Sequence, residues 1–525
     1  MKLLPNELAA LIEQALRAAQ AAGDLPAFDV PSANVEVPRR PEQGDYATAV
    51  ALQLAKPTRM NPFHVATQIA NHLPNAAILQ SVQVAHPGYI NFRLSDDWLR
   101  QQVETLITEG DDLFKLDIGS GKRAQVEFVS ANPSGPVTIG RSRGGVIGDT
   151  MARVLEAAGY DVEREYYFNN AGRQMRNLGN SLRLRYLQAL GMPVDVPGED
   201  DKGFYQGEYL IDIARQLIAE KGDTLVEEDW QPFKEYAEQK IFETIKATLR
   251  RVNIQHDMFF NENSLYDSSA VWDTLKKLEQ SGYVYKAVKP EVSDNTKGED
   301  EDTDGKAPAM WFRSSAFGDA KDRVMVKSDG EPTYTLPDIA YHVNKLERSF
   351  DILVNILGAD HYIEHQVVKY GIRALGLDPS PIRVIILQFV HLLRNGERLK
   401  MSTRRGDIET LDELIDKTSA DAVRYLLLAR NANSDVDFDI DLAVKQTNEN
   451  PVYYIQNAHV RCAGIFREAA ARGVTDEGAD VNLLDDTELT FIRRALELGE
   501  QIEFAARELE PHRIAFYALE LATIF

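Results

Sequence analysis

Residues 126 to 141 hold the groups in the chain that most invite chemistry. A short apolar run, Val126-Glu127-Phe128-Val129, turns abruptly into Ser130-Ala131-Asn132-Pro133-Ser134-Gly135-Pro136-Val137-Thr138-Ile139-Gly140-Arg141. If the run is a parallel strand and a helix follows, backbone N–H groups and the helix dipole converge at this turn and form a phosphate site. Two prolines stiffen it, while Gly135 and Gly140 let a ligand approach the backbone. The turn is neither a P-loop nor a G-x-G-x-x-G fingerprint, and a plain strand-to-helix connection would carry the same residues. Glu127 puts a carboxylate inside an apolar strand, which is costly unless it meets a cation or several donors; a ligand guanidinium or an internal Arg or Lys would answer that cost. Asp338 follows Pro337 at a helix start, where first-turn chemistry also favours proline and an acid. Farther on, Lys400-Met401-Ser402-Thr403-Arg404-Arg405-Gly406 is a basic loop: either a solvated loop or mobile cations that close over a departing polyphosphate.

Positioning these groups requires a sheet. A helix follows the turn, with Ile147, Met151, Val154, Leu155 and Ala158 on one face; Gly159 closes it, and residues 162–168 read as the next strand. Strand, turn, helix, strand is the βαβ unit of a doubly wound parallel sheet. Residues 180–285 read as a helical insertion, with amphipathic runs over 209–219 and 233–252. Strand-like segments resume at 324–326, 352–356 and 384–387, and the chain is mostly helical after Gly406. Ahead of the sheet, residues 1–115 form a small α/β unit. Leu8, Leu11, Ile12, Ala15 and Leu16 recur at helical spacing, a second helix is expected over 62–72, and 82–84 and 89–93 alternate like strands.

These motifs, taken in order, resemble the arginyl-tRNA synthetases. The resemblance rests on Glu127-Phe128-Val129-Ser130-Ala131-Asn132-Pro133-Ser134-Gly135-Pro136, Arg143-Gly144-Gly145-Val146-Ile147-Gly148-Asp149 and Tyr166-Tyr167-Phe168-Asn169-Asn170-Ala171-Gly172-Arg173-Gln174. It continues through Pro332-Thr333-Tyr334-Thr335-Leu336-Pro337-Asp338-Ile339-Ala340-Tyr341-His342, Gly358-Ala359-Asp360-His361, Gln388-Phe389-Val390 and Lys400-Met401-Ser402-Thr403-Arg404. Gly44-Asp45-Tyr46-Ala47-Thr48 near the start and Asn450-Pro451-Val452-Tyr453-Tyr454-Ile455-Gln456-Asn457-Ala458-His459 near the end extend it over nearly the whole chain.

The resemblance implies a class I enzyme that joins arginine and ATP into arginyl-adenylate and passes the arginyl group to the 3′ end of its tRNA, tRNA(Arg). The implied fold is α/β: a Rossmann-type doubly wound parallel sheet with a helical insertion, a small N-terminal α/β domain and a C-terminal all-α anticodon-binding domain. The implied boundaries are 1–115 for the tRNA-contacting domain and 116–405 for the catalytic domain, its insertion at about 180–285. Connecting helices would span 406–445, and the anticodon domain 446–525, which reads as truncated because the apolar last segment, 514–525, ends without a cap. Substrate arginine is assigned Glu127, Ser130, Ala131, Asn132, Tyr334, Asp338 and Tyr362. The nucleotide is assigned Gly135, Gly140, Gly358, Asp360, His361, Gln388 and Met401, and catalysis Thr138, Arg141, Lys400, Ser402 and Arg404. Asp338 would grip the guanidinium through two parallel charge-assisted bonds that a lysine ammonium cannot reproduce. His365 and His391 lack such support and read as structural or surface residues.

One departure stands out. The family's first signature is His-x-Gly-His, and here it is Thr138-Ile139-Gly140-Arg141. Thr138 retains a hydroxyl donor and Arg141 a permanent cation. Two readings follow: a substituted but active site, with Arg141 stabilising phosphate charge, or a degenerate synthetase that binds arginine or tRNA without turnover. Retention of Glu127, Asn132, Tyr334, Asp338 and Lys400 favours activity. In the basic loop Thr403 replaces the second lysine of the class pattern, so Arg404 or Arg405 would supply that charge.

Charge and composition set the outer bounds. The chain has 525 residues, 44% hydrophobic and 26% charged, which suits a soluble protein of about three domains. A net charge of −23 argues against non-specific nucleic-acid coating. Yet Arg141, Arg143, Arg153, Arg164, Arg173, Arg176, Arg183 and Arg185 fall in one stretch with five acids, a local excess suited to tRNA phosphates or to helix-surface ion pairs. The resemblance places the anticodon at the C-terminal helices, where Tyr453, Tyr454 and Gln456 are candidates to read it, although the tyrosines would serve equally as core. Cys462 is the single cysteine, so neither a disulfide framework nor a cysteine zinc cluster is available. Residues 299–304 form a solvated acidic loop. With no signal pattern and no run of roughly 18 apolar residues, the expectation is a cytoplasmic protein off the membrane; the resemblance adds a monomer using ATP with Mg²⁺ and no protein-ligated metal.

Overall fold

The computed structural model describes residues 3–168, 170, 172–197, 203–292, 307–399 and 410–525. They fall into two compact units. The first joins the chain up to Asp117 with Tyr454–Phe504 and Phe516–Phe525. Its opening helix, Leu4–Ala22, buries Leu8, Ile12, Ala15 and Leu16 as their spacing requires, and it stops at Gly23, whose φ of 82° is the left-handed cap that glycine adopts freely. That helix packs with a four-stranded antiparallel sheet in the order Val35–Glu36, Tyr46–Thr48, Tyr89–Leu94, Leu79–Ala85. The same core takes in Leu489, Ile492 and Leu496 from helix Asp486–Leu496, so segments nearly four hundred residues apart share one interior. The Gly44-Asp45-Tyr46 patch belongs to this joint. The Asp45 carboxylate accepts the Leu94 N–H at 2.7 Å, and the buried Tyr46 hydroxyl donates to Glu500 at 2.5 Å.

The second unit, Ile118–Tyr453 with Ala505–Ala515, holds the large sheet. In chain order it is built from β1 (Arg123–Glu127), α1 (Ile139–Ala157), β2 (Asp161–Phe168), α2 (Gly172–Ala189), α3 (Tyr209–Lys221) and α4 (Trp230–Arg251). Then come β3 (Met258–Asn261), α5 (Thr335–Glu347), β4 (Ile352–Gly358), α6 (Tyr362–Ala374) and β5 (Ile382–Leu387). All five strands are parallel, ordered β5-β4-β1-β2-β3. This is the doubly wound order, with its switch point between β1 and β4, where such sheets bind ligands beyond their carboxyl ends.

Two expectations need correction. The helical run over 180–285 is broken by β3, an edge strand of the main sheet paired with β2, so the helices inserted ahead of it end at Arg251. Periodicity carried no signal here: Met258-Phe259-Phe260-Asn261 is a short apolar run that a strand and a buried helix segment share. The strand expected at 324–326 forms as Arg323–Val326, but in a separate antiparallel sheet with Ala309–Phe312 and Val284–Ala287. The acidic loop at 299–304 lies outside the described residues.

Close packing of α1 on the sheet depends on Gly148. A Cβ there would lie 2.3 Å from Phe128 Cβ. Gly→Ala in a helix gains about 1 kcal/mol of propensity, but overpacking a core costs about 1–3 kcal/mol. Phe128 is fully buried and its Cβ cannot swing away, so the steric cost prevails. Gly148→Ala is expected to lower the urea unfolding midpoint monitored by circular dichroism; a raised midpoint would show that Phe128 yields.

Candidate functional site

The switch point gathers the residues that the sequence singled out. Glu127 ends β1 and is the direct neighbour of Asn355 on β4. Gly358 ends β4, Asp360 and His361 follow in one turn of 3₁₀ helix, and Tyr362 starts α6. Gln388 stands just past β5, and Tyr334 caps α5 with Asp338 in its first turn. Lys400, Met401, Ser402, Arg404 and Arg405 lie outside the described residues. The chain on either side of them is placed: Leu399 N–H bonds Leu392 O at 2.8 Å, and Thr410 bridges Thr138 at the start of α1.

Past β1 the backbone breaks sharply, Val129 at φ 67° and Ser130 at φ 38°. A β-branched residue in the left-handed region costs about 1–3 kcal/mol, strain that clusters at functional sites. The turn is fixed by its neighbours. Ser130 Oγ donates to Glu127 at 3.0 Å and accepts the Tyr167 N–H at 3.1 Å. The Tyr166 hydroxyl donates to Ala131 O at 2.7 Å, Asn132 Nδ2 to Gln174 Oε1 at 2.7 Å, and the Tyr209 hydroxyl to Ser134 O beside Gly135.

Glu127 already has a cation. Lys345 of α5, fully buried, places Nζ 2.6 Å from Glu127 Oε2 and 2.8 Å from Asn355 Oδ1. Asn355 Nδ2 meets His342 Nε2 at 2.8 Å, and His342 Nδ1 donates to the Asp338 carbonyl at 2.8 Å. Of the two readings of Glu127, internal pairing is the one observed. Sequence reasoning missed Lys345, although a lysine two turns past Asp338 on the buried face of a helix was a readable signal.

Asp338 and Glu262 differ from Glu127, since among the described residues no cation pairs with either carboxylate. Burial, reinforced by the charges of Glu262, Glu127 and Glu364, pushes the Asp338 carboxyl up to about 8. Burial raises Glu262 to about 7, and its Oε2 has no hydrogen-bond partner. A cavity of 290 Å³ opens beside them, walled by Glu262, Tyr266, Tyr334 and Pro337. Tyr334 is 70% exposed at its mouth. Arg173 and Lys327 line the same cavity. These unmatched acids, Glu262 buried and Asp338 half-buried, make this a site for a cation. Glu262, just past β3, was not found from sequence because its strand was read as part of the helical insertion.

The phosphate turn is open. Thr138, Gly140 and Arg141 are exposed, and Thr138 makes no side-chain bond to the first turn of α1, leaving that helix start to a ligand. Among the described residues Arg141 has no ion-pair partner; His361 is held above its usual value by its hydrogen bond to Glu364, with the Arg141 charge a smaller opposing effect. Arg143 must be withdrawn from the phosphate-contacting set. It is fully buried and donates to the carbonyls of Gln388, Ser434 and Asn431 at 2.8–3.0 Å, tying α1 to the strand edge around Gln388. Arg153 and Arg164 are held by Asp149 and Glu156, and Arg183 and Arg185 bond neighbouring oxygens. Arg141, Arg173 and Arg176 remain exposed, Arg176 over the Trp230 ring. His365 is buried and held low, near 4, by burial, while His391 lies 3.3 Å from Asp435. Tyr453 and Tyr454 are half-buried and Gln456 is exposed.

Three family models match in order: the arginyl tRNA synthetase N terminal domain at residues 6–94, the catalytic domain of class I (R) tRNA synthetases at 102–446 and the DALR anticodon binding domain at 455–525. The arginine–tRNA ligase of Desulforudis audaxviator is 42% identical over 100% of this chain and 92% of its own length. That of Heliobacterium modesticaldum is 39% identical over 100% and 91%. The solved arginyl-tRNA synthetase of Thermus thermophilus superposes with a TM-score of 0.73 over 99% of this chain and 91% of that one; at 20% identity it shows the fold.

Proposed function

The chain belongs to the arginyl-tRNA synthetases and is an arginine–tRNA ligase that uses ATP, arginine and tRNA; from that premise we propose how its residues divide the work. The single observation that carries the proposal is the pair of unmatched acids, Asp338 and Glu262, beside a cavity at the start of α5 and the end of β3. Asp338 takes the substrate guanidinium, with Glu262 adding charge and Tyr334 walling the mouth. Ser130, Ala131 and Asn132 face the amino-acid backbone, with Glu127 beside them and Tyr362 at the rim.

The arginine carboxylate oxygen then attacks the α-phosphorus of ATP, a mixed anhydride forms, and pyrophosphate leaves with the electron pair of the broken P–O bond. Gly135, Gly140, Gly358, Asp360, His361 and Gln388 cradle the nucleotide, joined by Met401. Arg141, Thr138 and the N–H groups opening α1 meet the charge that grows on the phosphate, and Lys400, Ser402 and Arg404 act on the departing pyrophosphate. In the second step a hydroxyl of the terminal adenosine attacks the arginyl carbonyl and AMP departs. Mg²⁺ enters as the companion ion of ATP. Among the described residues no three potential ligands gather into a metal site, and no helix is long and apolar enough to cross a membrane. The enzyme acts as a monomer in the cytoplasm, residues 1–115 touching the tRNA body and 446–525 its anticodon.

The test is tRNA-dependent ATP–pyrophosphate exchange with arginine, lysine and citrulline. Exchange with arginine alone supports the assignment; equal exchange with citrulline, which has no positive charge, would refute it. The pH dependence follows from the two acids. Below about 7 both are protonated and neutral, so a guanidinium entering the pocket must displace protons. The KM for arginine is expected to fall as pH rises from 6 to 8.5 and then level off. Calorimetry in two buffers of different ionisation enthalpy should record proton release on arginine binding at pH 7. A flat KM profile would mean that the acids are ionised before the substrate arrives.

A further inference from the structure

We propose that Lys345 is a positioning residue that sets the length of amino acid the site accepts, by holding the guanidinium helix at a fixed distance from the end of β1. The inference rests on the assignment of Asp338 to the substrate guanidinium and goes one step deeper.

Seven residues, about two helical turns, separate Asp338 from Lys345, so α5 presents both along one side. Lys345 is fully buried, and its ammonium reaches β1 through Glu127 and β4 through Asn355. It also sits 4.5 Å from the centre of the Tyr341 ring, a cation–π contact. A second tie starts from Asn355, passes through His342 and ends on the carbonyl of Asp338 itself. From Glu127 the path continues to Ser130, whose hydroxyl also accepts the Tyr167 N–H. One continuous set of hydrogen bonds therefore runs from the residue that would hold one end of the substrate to the turn that would hold the other. Glu127, His342 and Asn355 are all less than a tenth exposed, so water does not compete for these bonds.

A network of this kind acts as a ruler because its members have discrete partners. If Lys345 loses its charge, Glu127 becomes a buried, unpaired carboxylate and α5 loses its link to β1. The two ends of the substrate site then move independently. A shift of about 1 Å in such a site costs about a hundredfold in rate. Discrimination against one extra methylene, ordinarily about 10–200-fold, should shrink as well, since it requires a fixed end-to-end span.

The experiment compares Lys345→Met, the neutral pair Glu127→Gln/Lys345→Met, and Asn355→Leu with the unaltered enzyme and with Asp338→Asn. Each is assayed by tRNA-dependent pyrophosphate exchange with arginine and with homoarginine, which is one methylene longer; thermal melting reports folding. The expected result is a loss of about a hundredfold in kcat/KM for arginine in Lys345→Met, with the KM for ATP unchanged. The arginine-to-homoarginine ratio should fall at least about tenfold, and Asn355→Leu should move the same ratio by a smaller factor. Lys345→Arg, which keeps the charge, should recover part of the ratio. If Lys345→Met does not fold, the neutral pair and Asn355→Leu decide. A lowered melting point with an unchanged ratio would overturn the ruler and leave Lys345 a purely structural residue. An Asp338→Asn variant with normal arginine KM would instead overturn the pocket assignment beneath it.

Discussion

Asp338→Asn is expected to lose about 30- to 5,000-fold in kcat/KM for arginine, the equivalent of the 2–5 kcal/mol that follows from truncating one partner of a buried charged hydrogen-bonded pair. The substitution keeps shape and volume and removes charge. It also removes one acceptor, so the two parallel bonds to a guanidinium become one weaker bond and a clash between N–H donors. Because the loss falls on binding of the side chain, the KM for ATP should stay unchanged. The pH profile supplies an independent check. With the group near 8 gone, the remaining dependence on arginine should follow Glu262 alone, near 7. A variant that keeps both the wild-type KM for arginine and the upper inflection would place the guanidinium elsewhere.

The second large effect belongs to Arg141. Removal of one preorganised donor to a developing oxyanion costs about 2.7–4 kcal/mol, or 10²–10³ in kcat. Arg141→Ala is expected to show that loss in tRNA-dependent pyrophosphate exchange with the KM for arginine nearly unchanged, because the phosphate charge it meets grows at the transition state. Arg141→Lys should recover part of the rate through charge, without the guanidinium fork. The location suits this role. Arg141 is exposed at the opening turn of α1, with no ion-pair partner among the described residues, and Thr138 beside it bridges to Thr410. The neighbouring Arg143 gives the contrast. Its guanidinium is spent on three backbone carbonyls and is pulled down to about 10 by burial, so Arg143→Ala should loosen the Gln388 edge instead of weakening phosphate contacts. Unchanged exchange in Arg141→Ala would exclude the role proposed for it.

Part of the candidate site was legible because its signals are local. Two prolines and two glycines in a turn between an apolar run and an amphipathic helix mark a strand end, and the structure places that turn after β1 at the switch point. Arg141 and Arg143, two positions apart on a helix, could not be told apart from their types. They point about 200° from each other around the axis, and whether one side meets solvent or a neighbouring strand is a tertiary fact. Glu262 escaped notice for a related reason: β3 is only four residues long, too short for periodicity to separate it from the helices before it.

The sequence by itself determined the family, the reaction and the strand-end turn proposed to face the nucleotide, because those depend on ordered motifs and on local turn chemistry. It also determined that Glu127 needed a cation, several donors or a proton, since a bare carboxylate in an apolar strand is costly. Which cation, Lys345 from a helix more than two hundred residues away, was decided by the pairing of β4 with β1 and by the packing of α5 over both. The tertiary structure likewise decided that Asp338 and Glu262 go without such a partner. Whether a buried charge is paired depends on what the fold brings within about 4 Å, and chain neighbours do not report that distance.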